Sequence, residues 1–403
     1  VSTAATRRYE LVLYGASGFT GRLVAAAVAR RAPPGFRWAL AGRDAARLDA
    51  VRAELGLAVD RLVADAGDPV ALAALAQQSR VVLSAVGPYA RYGTPLVAAC
   101  VEAGSDYADL TGEPLWMRAS VDAFDARARE RGARIVHACG FDSIPSDLGV
   151  LVLQRAALAR YGRPATRVEH MVERMAGGIS GGTIASAFEL LERVASDPSA
   201  RRALADPELL TPGAPRSPDP VGPWWPQRHP LGAGWSAPFV MAATNAKVVR
   251  RTRALLGEPW GDDVHYLERL AAPTWARAAA IGLGSVAIAA ILSLAPLRAL
   301  VRRRLPAPGT GPSRAVRDAG AFQTRLVGWV EGVTEPLVVR VEGDADPGYE
   351  ATARMLAEVG LLLALGGGAE RASSAGVTTP ALVGGEALIE RLAEVGVRVV
   401  VEA

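Results

Sequence analysis

Lysine is almost absent from this chain: of its 45 lysine and arginine side chains only one, Lys247, is a lysine. The formal charge of +4 and the isoelectric point near 9.3 therefore come from arginines scattered along 403 residues. No basic run is interleaved with aromatics, which argues against a nucleic-acid partner, and the arginine, alanine, valine and glycine bias is what a GC-rich genome writes. Cysteine is scarce as well. Cys100 and Cys139 have no metal-type spacing, so zinc is not implied and a reducing, cytoplasmic setting is expected. Residues 1–8 lack the apolar stretch of a secretory leader and read as a disordered lead-in. What remains is an ordinary globular balance, half apolar and about a fifth charged, in a chain long enough for two or three domains.

The first structure in the chain is an apolar run that stops at glycines. Residues 9–21, YELVLYGASGFTG, predict a strand feeding a phosphate-binding turn, with Gly15, Gly18 and Gly21 in a G-x-x-G-x-x-G spacing. Small residues there permit the tight turn and let backbone N–H groups approach a pyrophosphate, so Gly15, Ala16, Ser17, Gly18, Phe19, Thr20 and Gly21 are the expected phosphate contacts. The helix over 22–31 would aim its positive end at that anion. The alternative is a plain strand–turn–helix corner.

A second strand, 37–41, ends at Gly42-Arg43, where an arginine suits the 2′-phosphate of NADP(H); Asp44 stands next to it as either a ribose acceptor or the N-cap of a helix over 44–55. A third strand, 61–64, leads to Asp65, an expected adenine-side contact, and Asp68-Pro69 opens a helix. The fourth, 81–85, runs into a Gly-Pro turn, placing Ala85, Val86, Gly87 and Pro88 beside the nicotinamide ribose unless they are merely the turn before a helix over 94–103. Strands at 106–110 and 134–138, separated by a helix over 115–131, complete the alternation of a doubly wound parallel sheet. His137 falls inside the last of these and reads as a core or cofactor-adjacent histidine, followed by a loop dense in Gly, Pro, Ser and Asp.

GASGFTG, AGR, SAVGPYARYG, YADLTGE and HACGFDSIPSDLG, in this order and at these separations, resemble the saccharopine dehydrogenase-like oxidoreductases, and among them the actinobacterial trans-acting enoyl reductases. The resemblance implies an α/β protein with an N-terminal Rossmann-type domain and a second α+β domain containing an antiparallel sheet. It further implies an NADPH-dependent reductase of a lipid-like or acyl substrate, carried by a polyketide or fatty-acid synthase, with hydride passing to the β-carbon of an α,β-unsaturated thioester. Tyr89, Asp142 and Ser143, in loops at strand ends, are the catalytic candidates, because reduction leaves an enolate that needs an electrostatic partner and a proton. In the resembled family the glycine-rich element with Ser180, Gly181, Gly182 and Thr183 faces substrate; otherwise it is a flexible connection.

Beyond it, 167–175 alternates like a strand and 183–194 reads as a helix, while 197–235 is expected to be irregular, anchored by Trp224, Trp225 and Trp235. Asn245, Lys247, Arg250 and Arg251 lie on a predicted helix whose basic face either meets a phosphopantetheine carrier or is simply solvated. Residues 278–297 carry no charge for a membrane-span length, yet are alanine-rich and interrupted by Gly282, Gly284 and Pro296. A buried helix, or a segment lying on the inner face of the plasma membrane with Arg298, Arg302, Arg303 and Arg304 on anionic head groups, fits one continuous enzyme better than a span. Residues 322–331 and 337–342 predict two antiparallel strands, 349–365 a helix returning to the nucleotide domain, and 382–394 a last helix. The expected domains are 1–150, 151–344 and 345–403. A saccharopine-type amino-acid dehydrogenase and a non-catalytic, membrane-associated nucleotide-binding protein are the competing functions, and a homodimer is left open.

Overall fold

The computed structural model describes residues 7–177, 181–214, 222–232, 234–257, 260–261, 264–294, 296–298, 311–366 and 374–402. The chain divides into two units: Val1–Thr111, Trp116–Gly140 and Tyr349–Leu392 form one, and Gly112–Leu115, Phe141–Gly348 and Ala393–Ala403 the other.

In the first unit strands and helices alternate without exception as β1 (Tyr9–Tyr14), α1 (Phe19–Arg31), β2 (Trp38–Gly42), α2 (Ala45–Leu55), β3 (Asp60–Val63), α3 (Pro69–Gln78), β4 (Ser79–Ser84), α4 (Tyr89–Ala103), β5 (Asp106–Asp109), α5 (Pro114–Arg131) and β6 (Arg134–Val136). Helical connections make every pairing parallel, in the order β6-β5-β4-β1-β2-β3. β1 lies between β2 and β4, so the strand order reverses at the carboxyl end of β1, the place where such sheets take ligands. Leu11, Val12, Leu13, Val81, Val82 and Leu83 are fully buried, as strands covered on both faces require.

The second unit begins with α6 (Ile144–Tyr161) and β7 (Ala165–Ala176), continues with α7 (Gly181–Ser196), α8 (Pro198–Ala205), β8 (Gln227–Arg228), β9 (Trp235–Pro238), α9 (Ala242–Leu256), β10 (His265–Ala272) and α10 (Trp275–Ser293), and then α11 (Arg314–Asp318), β11 (Ala321–Val330) and β12 (Leu337–Gly343). The chain next re-enters the first unit with α12 (Thr352–Leu365), β13 (Gly376–Thr378), α13 (Pro380–Gly384) and α14 (Glu386–Ala393); β14 (Val397–Val401) ends it in the second. β13 extends the first sheet parallel to β6, and α12 packs on it closely enough that a Cβ at Gly360 would stand 2.6 Å from a Leu83 methyl. The second sheet is mixed, in the order β14-β12-β11-β7-β10-β9-β8, with only β7–β10 parallel. α6 covers it: Cβ atoms at Gly149 and Gly328 would each stand 2.5 Å from a leucine methyl, Leu326 and Leu153, so glycines on both faces bring helix and strand together.

The expected antiparallel pair is β11 and β12, and β11 also pairs with β7. The chain passes to the second unit after Gly140, and α6 packs on the second sheet. β8, β9, β10, β14 and α8 were not foreseen; β8 and β9 are two and four residues long, too short to show a period. Around α10 the sheet excludes a single membrane crossing. β10 precedes this helix and β11 follows it, and both pair with β7 in one sheet, so the chain leaves and returns on the same side. A return span is also excluded, since residues 298–318 hold seven charged side chains.

Candidate functional site

The turn after β1 has no room for side chains. Gly15 has φ +86°, and a Cβ on it would meet a Val86 methyl at 2.5 Å; a Cβ on Gly21 would overlap the Gly15 carbonyl oxygen. Gly15 N donates to Ala41 O (2.8 Å) and Gly18 N to Gly15 O (3.0 Å), which folds residues 15–18 into a compact loop over the start of α1. The cap residue of α1, Gly18, offers no side-chain acceptor, and the first turn contains no acid. The positive end of the helix is therefore left uncompensated, as an anion site requires. Ala16 is buried, Ser17 and Thr20 are half-buried, and Phe19 packs edge-on against Tyr349 at 4.7 Å.

The end of β2 settles between its two charged residues. Asp44 caps α2, accepting from Arg47 N at 3.1 Å, and is thereby committed to the helix. Arg43 is exposed and has no hydrogen bond or ion pair among the described residues. Asp65 accepts from Gly67 N (2.8 Å) and closes its own loop. Ala85 N donates to Tyr14 O (2.9 Å), fastening the end of β4 to β1, and the Gly87–Pro88 peptide that follows is cis. These residues fit the dinucleotide: glycines for close backbone approach, a helix N-terminus for the pyrophosphate, and a free guanidinium where a 2′-phosphate would lie.

Tyr89 and His137 are built into the same unit as struts. The Tyr89 hydroxyl donates to Ser84 O (3.0 Å) and accepts from Leu110 N (3.2 Å), while its ring stacks on Trp116. His137 lies one residue beyond β6, with Nδ1 2.8 Å from Asp109 Oδ2 and Nε2 2.8 Å from Ser120 Oγ. Both its nitrogens are spoken for, so it is a core histidine. Asp109 also accepts from the amides of Thr111 and Ala138, which holds Ala138 at φ +62°.

The second unit contains a polar cluster that the sequence only half announced. Ser143 Oγ donates to Asn245 Oδ1 (2.9 Å), and Asn245 Nδ2 donates to Glu268 Oε1 (3.1 Å). Tyr266 O–H donates to Glu268 Oε2 (3.0 Å), Ser146 Oγ lies 3.4 Å from both oxygens of that carboxyl, and His170 Nδ1 lies 3.0 Å from the Tyr266 hydroxyl. Ser143, Ser146, His170, Asn245, Tyr266 and Glu268 are all buried. Burial pushes the Glu268 carboxyl up to about 8 against the donors that favour its anion, with the Asp142 charge adding to the rise. Burial alone pushes Asp142 up to about 6, and the same effect holds His170 down at about 3, hence neutral. Asp142 is half-buried with no hydrogen-bond partner among the described residues, and a Cβ at Gly112 would stand 4.0 Å from one of its oxygens. His170 Nε2 is buried and unpartnered.

Asp142 and Ser143 are thus close to Glu268 in one unit, while Tyr89 belongs to the other. Glu268, Ser146, Tyr266 and His170 were missed. The signal was present: Tyr266 and Glu268 share the buried phase of an alternating strand, and parallel register sets Glu268 opposite His170. The face of α9 is neither solvated nor open. Arg250 meets Glu208 at 3.4 Å, Arg251 donates to Leu210 O (2.6 Å), and Lys247, held at about 8 by burial and Arg250, donates to Ala243 O (3.1 Å). All three are buried, and Arg250 and Arg251 fasten the 206–211 segment. Ser180 lies outside the described residues; Gly181, Gly182 and Thr183 begin α7.

Residues 11–136 match the model of the saccharopine dehydrogenase NADP-binding domain. A Mycobacterium tuberculosis protein provisionally named a trans-acting enoyl reductase is 44% identical over 98% of both chains. The trans-acting enoyl reductase of Mycobacterium ulcerans is 41% identical, again over 98% of both. Among solved structures, apo saccharopine dehydrogenase (L-Glu forming) of Saccharomyces cerevisiae shares the fold, with a TM-score of 0.51 and 12% identity over 98% of this chain and 99% of that one. The NADP-binding domain model, the uncapped turn and the free Arg43 agree, and the chain belongs to the trans-acting enoyl reductase family of saccharopine dehydrogenase-like, NADP-dependent oxidoreductases.

Proposed function

We propose that this protein reduces the C=C bond of an α,β-unsaturated acyl thioester presented by the carrier domain of a polyketide or fatty-acid synthase. The relatives' names support the substrate class. The observation that carries the reductase reading is the turn at 15–21, closed to side chains and left with an uncompensated helix end beside the free Arg43. Bound NADPH supplies a hydride. Gly15, Ala16, Ser17, Gly18, Phe19, Thr20 and Gly21 hold its pyrophosphate, Arg43 its 2′-phosphate and Asp65 the adenine side, while Ala85, Val86, Gly87 and Pro88 flank the nicotinamide ribose.

The chain's remaining task is the proton that the α-carbon takes once the β-carbon has been reduced. Tyr89 has both hydroxyl functions engaged by backbone, which leaves its ring as a wall. Among the acids of the second unit, the cluster around Glu268 is the one that holds a proton at neutral pH. Glu268, neutral at pH 7 because burial raises its pKa to about 8, holds a proton, and Ser143 orients Asn245 against its carboxyl. Asp142, half-buried, passes protons between that cluster and water.

The test is NADPH oxidation by the purified protein with an enoyl thioester, a β-ketoacyl thioester and saccharopine offered in turn. Turnover confined to the enoyl thioester supports the reading; turnover of the ketoacyl or amino-acid substrate alone would replace it.

A further inference from the structure

α10 is apolar and almost uncovered. Of the window Trp275–Leu292 only 11% is buried; near its beginning Ala278 and Ile281 pack on Ala237, Ala272 and Trp235, and α7 also lies against the helix. From position 283 onward the exposure runs round the helix: Leu283 is 59% exposed, Val286 51%, Ile288 58% and Ile291 42%. A protein partner covers one stripe of a helix, whereas a fluid apolar phase covers every side. At the base of this exposed length stand Trp275, Trp224 and Trp225, each more than half exposed, with the Trp224 carbonyl oxygen 2.6 Å from where a Cβ of Gly282 would be. Tryptophans toward the base of a helix and bare aliphatics beyond them are the arrangement of a membrane interface. The charge agrees: residues 270–317 contain seven arginines and no acid. Arg277 is exposed two residues beyond Trp275, Arg298 turns back to donate to Leu292 O at 2.9 Å and lies 3.6 Å from Glu192 of α7, and Arg302, Arg303 and Arg304 lie outside the described residues.

We propose that α10, with Trp224, Trp225 and Trp275 at its base, is a monotopic docking surface that enters one leaflet of an anionic bilayer. The sheet topology already excludes a crossing. The length agrees with it, since residues 283–293 reach roughly 16 Å at 1.5 Å per residue, about half of a hydrocarbon core. Such docking would bring the enzyme to the surface on which a long, poorly soluble acyl product accumulates; in this respect alone the inference rests on the substrate reading above.

The full-length protein is to be floated with phosphatidylcholine vesicles with and without phosphatidylglycerol, beside the variants Ile288→Glu and Trp224→Ala/Trp225→Ala. NADPH binding on the same samples reports that each variant is folded, and it fails separately if the cofactor site is wrong. The wild type should float with the anionic vesicles and less with the neutral ones, Ile288→Glu should lose partitioning about tenfold, and the tryptophan pair should lose several-fold. Salt near 1 M, where the Debye length falls to about 3 Å, should weaken but not abolish binding by the wild type. Wild-type protein left at the bottom, or Ile288→Glu floating like wild type, overturns the proposal. So does a dimer that becomes monomeric in Ile288→Glu, which would make a second copy the cover, or an acidic carrier domain that binds in place of vesicles.

Discussion

Arg43 is the residue on which the proposed preference for NADPH turns. Its neighbour Asp44 is spent on the N-cap of α2, so the charge available at the end of β2 is positive. Arg43→Ala is expected to weaken NADPH binding by about 10- to 100-fold, some 1.4–3 kcal/mol, and to leave NADH unchanged; a fluorescence titration of both nucleotides decides it. Glu268 is the residue-scale test of proton delivery. Its folded-state pKa of about 8 predicts that kcat falls as pH rises through that value, and Glu268→Gln should lower kcat and remove this alkaline limb while leaving NADPH affinity intact. The same shift has a stability consequence. The folded protein keeps a proton that the unfolded chain releases above its ordinary carboxyl range near 4.5, so the stabilisation is complete below that range and is lost as pH rises toward 8. The loss amounts to at most about 1.4 kcal/mol per pH unit, and thermal unfolding of Glu268→Gln against wild type should show a gap that moves in the variant's favour from about pH 5 to about pH 8.5. His170 has the opposite sign: held down at about 3, it destabilises the fold as pH falls below 6.5. None of this was legible from a single residue. A lone glutamate in a strand reads as a solvated face until the register opposite His170 and the burial of Tyr266 are known.

At the scale of elements, the strand–turn–helix at β1 and α1 was legible because every part of it is local: an apolar run, glycines three apart, then good helix formers. Gly21→Val, whose side chain would collide with the Gly15 carbonyl, should abolish tight NADPH binding and lower the melting temperature, measured by titration and scanning fluorimetry. The second sheet was legible only in part, and β10, eight residues long with an irregular burial pattern, was missed. β7, β11 and β12 show their period, whereas β8, β9 and β14 are short and take their strand character from a partner far away in sequence. β14 illustrates this: it pairs with β12, and the Glu402 carboxylate beyond it lies 3.1 Å from Arg325 Nε. Deleting residues 394–403 should destabilise the protein, read as a lower denaturation midpoint, although the segment lies far from the nucleotide turn in sequence.

For the molecule as a whole, cofactor binding should be read out as stability. NADPH at about 100 times its dissociation constant should stabilise the folded state by about 2.7 kcal/mol, and the same concentration should stabilise Arg43→Ala, binding about 10- to 100-fold more weakly, by only about 0.4–1.4 kcal/mol; calorimetry on both proteins checks it. The doubly wound sheet, the NADP-binding domain and the family could be read from the amino-acid sequence alone, since these rest on short-range patterns of glycine and apolar residues. Tertiary structure alone decided three further matters. It showed that Asp142, Ser143, Asn245 and Glu268, from a loop, a helix and an unforeseen strand, form one acid cluster. It showed that Arg250 and Arg251 of α9 are internal fasteners, and that the described residues leave most of α10 exposed. The physical reason is common to all three: burial, pairing register and side-chain charge state depend on neighbours a hundred residues away, and a linear pattern carries no record of them.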